Sequence, residues 1–566
     1  MSQRFAPITV ALTGQLTFTL IIAAILALVA SYLLLHRYRR AVIRSMRRRS
    51  RSDILEIKGF LPPEPEHKPN DAPLRFDFVT RDAADSKENA SLLYRQATRR
   101  RWLIAFIHAV AGCCFAAIMT AAFFNATKME FSPIRFLFPT WANAWPIVMA
   151  VDLAIALSRR GRIVMASAYF LIGGVIISIV LANDPGLPIG RLVYLWLESN
   201  APATLLLVVF LNRRIRAVGP LVLVFMILSV TGGNLIVTLT GNNQNVLKAI
   251  RDFSFPIGFG AKNTLVTLHL IGFAAAAIVG WIILGVLRRL YEAKMVSEPS
   301  ITIDAAWLLF GIINSSQLAF YGPRWIMSGV VAFIVYKLVA AGLFRACGIS
   351  RRAQSKRYRL LTLRVFALGK RRESVYDTLG KWWRTVGSMQ MIAGPDLATS
   401  TIEPHEVLDF VTGTLDRRFI DSGRTLDILI HHMDLEPDQE GEFRVTEFFC
   451  HDDTWKITLA RLADESDAVL MDLRGFSQTN SGCVFEIHEV FNILPLSRVV
   501  FAVDATTEQT FMRQTIQQAW RQIKDRSPNR RLPAGQVSLV ELSGTSAVGF
   551  HNLLYALCAA ASVKPT

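Results

Sequence analysis

A chain of 566 residues that is 52% hydrophobic and only 19% charged, with a mean hydropathy of +0.34, is too apolar to be a soluble globular protein throughout. Its 62 basic and 44 acidic side chains leave a net charge of +18, but the basic residues lie beside apolar runs, so the expected partner is anionic lipid and not nucleic acid. The six cysteines, Cys113, Cys114, Cys347, Cys450, Cys483 and Cys558, show no C-x-x-C spacing. They point to reduced thiols, with neither a disulfide framework nor a zinc site.

About nine apolar stretches are long enough for a helix to cross a bilayer, which needs roughly 20 residues because unpaired backbone amides are costly in hydrocarbon. They fall near 14–35, 102–124, 141–158, 163–182, 192–211, 218–239, 264–287, 301–321 and 325–344. The first is too long for a cleaved signal peptide and is expected to remain as an anchor. Lysine and arginine in the connecting segments alternate in density, 26 on one side against 8 on the other. By the positive-inside rule this sets the N-terminus outside and the last two hundred or so residues in the cytosol of a bacterial inner-membrane protein. The chain then divides into a first transmembrane helix (1–35), a cytosolic basic and proline-rich linker (36–101), an eight-helix transmembrane bundle (102–345) and a cytosolic α/β domain (346–566).

Within the apolar runs, Asp152 is the most specific intramembrane polar residue, and Asp304, His108, His269, Asn234, Asn314 and Gln317 are further candidates. Amides and histidines in such positions ordinarily hydrogen-bond between helices. The loop 240–263 is the longest external one and too short for a folded ligand domain, so an external signal would be a small molecule or the lipid itself.

From residue 361 short apolar runs alternate with amphipathic stretches, the pattern of a doubly wound, flavodoxin-like sheet. Strands are expected at 361–368, 389–393, 427–433, 443–450, 467–473, 498–504 and 537–542, with 427–450 open to a hairpin reading. Helices are expected at 373–387, 404–420, 454–465, 482–494, 508–524 and 546–561. Ligands of such sheets bind beyond the carboxyl ends of the strands. The segment leaving strand 467–473 therefore carries the candidate site: Arg474, Ser477, Asn480, Ser481 as helix N-cap, Gly482, and Glu486 within about a turn of the helix start. Free amides and the helix dipole there favour an anion such as phosphate. Val484, Ile487, Phe491 and Leu494 are the stripe expected to face the sheet, leaving Glu486 on the face of Glu489. Trp455 is a packing anchor or a base-stacking platform. His431, His432, Asp434, His451, Asp452 and Asp453 are the remaining metal-type residues, and adjacent histidines on a strand would point to opposite faces. No Walker A, G-x-G-x-x-G, H-E-x-x-H or serine-elbow motif is present.

The run from Phe449 to Trp455, then Ser466 to Asp472, then Ser481-Gly482-Cys483-Val484-Phe485-Glu486-Ile487 resembles the TIR-like domains fused to uncharacterised bacterial membrane proteins. The resemblance covers residues 360–545. It implies that Cys483 and Glu486 keep the family's Cys-x-x-Glu spacing, with Glu486 as catalytic carboxylate and NAD as substrate rather than bound cofactor. Gly482 stands where the family's Trp would be. Gly482 and Glu486 are also similar to the Gly-x-x-x-Glu of nucleoside deoxyribosyltransferases, and both relatives act at an N-glycosidic bond. Three readings follow: a membrane-anchored, self-associating TIR-like domain that cleaves NAD, a non-catalytic nucleotide-sensing or interaction module, and a transporter with a regulatory tail.

Overall fold

The computed structural model describes residues 6–47, 69–79, 88–349, 358–364, 378–393 and 404–563, apart from breaks of one to four residues. Residues 62–68 of the proline-rich stretch, 373–377 of the expected helix, Asp434 and Asp452 lie outside the described residues. The chain is mostly helical and separates into two compact units. One comprises residues 1–38, 105–347 and 403–408, and the other residues 39–104, 348–402 and 409–566.

The helical elements are α1 (Ala6–Met46), α2 (Glu88–Thr127), α3 (Pro133–Asn143), α4 (Pro146–Ile155), α5 (Arg159–Asn183), α6 (Ile189–Phe210), α7 (Gly219–Asn242), α8 (Gln244–Ser254), α9 (Ala261–Glu292), α10 (Glu298–Leu318) and α11 (Ser328–Ala346). Both α1 and α2 are divided between the units, after residues 38 and 104. Among the described residues seven helices are long and apolar enough to cross a membrane, and the other two expected spans coincide with shorter apolar helices, Pro146–Ile155 and Leu221–Val237. Part of the expected loop 240–263 is helical, as α8.

Helices α7 and α9 approach closely through small residues. A Cβ on Gly272 would lie 2.5 Å from the Gly232 carbonyl oxygen, and one on Gly232 2.9 Å from the Gly272 carbonyl oxygen. Such contacts let helices pack by dispersion where no hydrophobic drive separates them from lipid-like surroundings. Between α3, α5 and α6 an aromatic cluster satisfies its own polar atoms. Trp141 Nε1 donates to the Tyr169 carbonyl (3.0 Å), Tyr169 donates to the Trp141 carbonyl (2.8 Å), and Trp196 Nε1 donates to the Tyr169 hydroxyl (3.0 Å). Those bonds let large rings sit in an apolar interior without an orphaned donor.

The second unit is built on an eight-stranded, wholly parallel sheet: β1 (Leu74–Phe78), β2 (Tyr358–Arg364), β3 (Gly387–Ala393), β4 (Phe419–Ile420), β5 (Val445–Cys450), β6 (Ala468–Asp472), β7 (Val499–Val503) and β8 (Gly535–Glu541), in spatial order β1-β8-β7-β6-β2-β3-β5-β4. Its five strands β3-β2-β6-β7-β8 run in the 2-1-3-4-5 order of doubly wound sheets, so the connections reverse direction between β2 and β6. The helices are α12 (Pro404–Val411), which begins in the segment grouped with the helical unit, α13 (Gly423–His431), α14 (Trp455–Asp464), α15 (Ser481–Ile493), α16 (Gln509–Arg521) and α17 (Ala547–Ala561). Strand residues alternate between two cores. Leu361, Val469, Phe501 and Leu539 join the core of α14, α15 and α16, while Leu360, Leu470, Val500 and Val540 join that of α17. Continuous apolar strands are what a sheet covered on both faces requires.

Three expectations are corrected. Residues 427–433 are not a strand, and no hairpin links them to 443–450; they close α13, whose Ser422 cap accepts from Thr425 N (3.2 Å). Short apolar runs carry no decisive period, and the cap decides for helix. The helix expected at 404–420 ends at Val411. The segment taken as solvated linker supplies β1, which pairs with β8 from Leu74↔Gly535 to Phe78↔Leu539. It is pinned further by Trp520 Nε1 donating to the Ala72 carbonyl (2.6 Å) and Asn70 N to the Arg521 carbonyl (2.8 Å). Farther along, Tyr94 stacks on Trp382 and shares a 2.7 Å hydrogen bond with His551, and the Arg101 guanidinium lies 3.6 Å above the Trp382 ring. The strand LRFDF has one half-polar face and a partner more than four hundred residues away, so no local pattern announces it.

Candidate functional site

The reversal between β2 and β6 lies where doubly wound sheets bind ligands, and most of the sequence candidates lie on the segment that leaves β6 there. Strand β6 ends at Asp472, in register with Arg364 at the end of β2. The chain then turns through Gly475, whose φ of +71° is the left-handed conformation that glycine adopts without penalty.

Arg474 is not a free cation. Its Nε donates to Asp472 Oδ1 (2.8 Å), its Nη2 to Oδ2 (2.6 Å) and its backbone N to Oδ1 (3.1 Å), and both side chains are buried. A bidentate pair of this kind fixes the turn and spends most of the charge that an anion would otherwise meet. Asn480 turns its Oδ1 back to accept from Ser477 N (2.9 Å) and the Ser477 hydroxyl (3.2 Å). Asn480, not Ser481, occupies the N-cap position of α15, and its side chain makes no cap bond. Ser481 is exposed, and among the described residues a Cβ on Gly482 would meet nothing within 4 Å, so none of them covers the uncapped first turn. Uncapped helix amides attract anions.

Glu486 lies elsewhere than expected. It shares the buried face of α15 with Cys483, Ile487, Val490 and Phe491, whereas Val484 is only half-buried. Glu486 is 2% exposed, and its Oε2 has no hydrogen-bond partner among the described residues. Burial alone pushes its carboxyl from 4.5 up to about 8, so it is protonated at neutral pH. The Cys483 thiol is likewise raised well above its ordinary value, first by burial and then by Glu486 and Asp472, so it is no helix-end thiolate. Trp455 packs edge-to-face on Phe485 at 5.4 Å with the Lys456 ammonium 4.6 Å above the Phe485 ring, joining α14 to α15 as an anchor.

The structure therefore brings Arg474, Ser477, Asn480, Ser481 and Gly482 onto one turn, and it sets Glu486 under that turn instead of on it. Sequence reasoning missed Arg364; its signal was a charge closing the otherwise apolar strand LLTLR. Asp152 stands in the last turn of α4, 3.9 Å from Arg162 Nε, and both side chains are substantially exposed. The closer pair was missed because Lys337 lies within an apolar run: its Nζ donates to Asp304 Oδ2 (2.7 Å) and Ser300 Oγ (3.2 Å). His108 shares a 2.8 Å bond with the Tyr336 hydroxyl. His431 and His432 sit at the end of α13, and among the described residues no three His, Cys, Asp or Glu side chains gather as metal ligands.

Comparison with protein-family models, with curated proteins and with solved structures finds no match for this chain.

Proposed function

We propose that the chain is a multi-span protein of the bacterial inner membrane whose helices anchor a cytosolic, TIR-like α/β unit, and that this unit binds a nucleotide such as NAD without cleaving it. The reading of a membrane protein draws on seven long apolar helices. Sidedness draws on the 26-to-8 imbalance of basic residues, which also makes anionic lipid the partner of the basic loops. The TIR-like reading draws on the Cys483-x-x-Glu486 spacing, on the 2-1-3-4-5 strand order and on the position of α15 directly after β6. Self-association through the α/β unit is part of the same reading.

One observation carries the choice of binding over catalysis. Among the described residues nothing covers the uncapped turn at Ser481 and Gly482, while Glu486 is sealed beneath it and neutral. A nucleophile or a charge that stabilises an oxocarbenium ion has to reach the sugar as a carboxylate. The whole protein in lipid nanodiscs, titrated with NAD, tests this. Saturable binding is expected, with nicotinamide no higher than in protein-free discs. Ser481→Glu puts a carboxylate on the exposed helix start, where it repels a phosphate, and should weaken binding by at least about tenfold. Nicotinamide release that disappears in Glu486→Gln would restore the catalytic reading, and absence of NAD binding would remove the nucleotide from it.

A further inference from the structure

The two edges of the parallel sheet are unequal. At one end β4 has only two residues, whereas at the other β1 has five and pairs on one side alone, with β8. Gly535 N donates to the Pro73 carbonyl (2.8 Å) and Val79 N to the Leu539 carbonyl (2.8 Å). Backbone groups alternate sides along a strand, so residues 73, 75, 77 and 79 face β8, and Leu74, Phe76 and Phe78 point their N–H and C=O groups away from it. Among the described residues those outward groups have no hydrogen-bond partner. A strand edge of this kind is a template for another strand.

The side chains say which strand fits. Arg75 and Asp77 are exposed, and neither makes an ion pair among the described residues; Gln536 Nε2, a neutral donor, holds Asp77 Oδ2 (2.6 Å). Phe78 is 47% exposed. Two copies of Leu74-Arg75-Phe76-Asp77-Phe78 can lie antiparallel about a two-fold axis centred on Arg75, Phe76 or Asp77. Centring on Arg75 opposes two arginines, and centring on Asp77 opposes two aspartates. Centring on Phe76 sets each Arg75 opposite the second copy's Asp77 and each Leu74 opposite the second copy's Phe78, with all five residues paired. In that register the outward residues form the hydrogen-bonded pairs, and Arg75 and Asp77 fall in non-hydrogen-bonded pairs, where side chains come closest.

We propose that β1 is the contact between two copies of this chain, joined antiparallel about Phe76 so that their two sheets become one. This contact gives the self-association proposed above its surface and rests on that reading. The charges act as a register key: a single charge on an edge only repels its own copy, whereas this pair repels in two registers and attracts in the third.

The whole protein in detergent tests the pairing. A non-hydrogen-bonded antiparallel pair holds its Cα atoms about 4.5 Å apart, within disulfide reach. In chains whose Cys113, Cys114 and Cys347 are changed to Ser, leaving only buried cysteines, Arg75→Cys mixed with Asp77→Cys should give a covalent dimer under mild oxidation. Either variant alone should cross-link at least about tenfold more slowly. Arg75→Asp and Asp77→Arg each set like charges opposite one another in all three registers. Each should weaken self-association in sedimentation at least about tenfold, with the melting temperature retained, and an equimolar mixture of the two should restore it. Equal cross-linking in mixed and separate samples, or self-association indifferent to both charge changes, would overturn β1 as the contact while self-association itself stands. A native chain that stays monomeric at every concentration would remove both.

Discussion

In the helical unit Leu171, Ile172, Leu270 and Ile282 turn outward and stay exposed, whereas in the α/β unit Leu361, Val469, Phe501 and Leu539 are sealed. The backbones differ as sharply. A helix closes its hydrogen bonds within a few residues, so each element of the first unit stands alone and then packs, as Gly232 and Gly272 do between α7 and α9. A strand must borrow its partners, and β1 borrows them from β8 across more than four hundred residues. Polar groups follow suit. The helical unit ties isolated side chains in pairs, such as Lys337 with Asp304, while the sheet concentrates Arg364, Asp472, Arg474 and Glu486 around one topological reversal.

The largest expected effect tests that concentration. Arg474→Met takes the bidentate partner from a buried Asp472 and should cost the α/β unit about 3–5 kcal/mol. Hydrogen exchange should then speed up in peptides covering β6 and β7 and stay unchanged in α7 and α9. Equal loss in both units would break the contrast.

Glu486→Gln sharpens it through pH. The folded carboxyl titrates near 8 and the unfolded one near 4.5, so at low pH both states hold the proton and nothing is lost. Between those values the unfolded chain releases the proton and the folded one keeps it. Stability therefore falls as pH rises, by roughly 1.4 kcal/mol per unit from this group, and the loss is complete above pH about 8. Thermal melts at pH 5 and pH 8 should show a drop in the native protein that the glutamine variant lacks; parallel curves for the two would refute a sealed, neutral Glu486.

The smallest effect belongs to the bundle. In Gly272→Ala the new Cβ meets the Gly232 carbonyl oxygen at 2.5 Å and should cost about 1–3 kcal/mol, read as faster exchange confined to α7 and α9. Gly285→Ala, where none of the described residues lies within 4 Å, is the control and should stabilise α9 by up to about 1 kcal/mol. If both substitutions behave alike, close packing is not what joins these helices.

Much of the α/β fold was legible because strong local periods survive tertiary packing. The helices expected at 454–465, 482–494, 508–524 and 546–561 appear as Trp455–Asp464, Ser481–Ile493, Gln509–Arg521 and Ala547–Ala561. The run 427–433 misled because its few apolar residues fit either period, and the Ser422 cap settles it. At the site, the turn and the helix start were readable and the helix face was not. Counting from Val484 makes Ile487 and Phe491 buried and leaves Glu486 outside; counting from Cys483 brings Glu486, Ile487 and Val490 inward. A carboxyl in an apolar stripe is the one residue type that such a count discounts.

By itself the amino-acid order determined where apolar helices form, where basic residues crowd their ends and where strands alternate with helices, because those properties depend on neighbours within about a turn or two. Only the tertiary structure decided that β1 closes one edge of the sheet, that Arg474 spends its charge on Asp472, that Lys337 meets Asp304 and that Glu486 is buried. Each of these joins groups whose partner, or whose access to water, is set by packing between separate elements, and no local window contains that information.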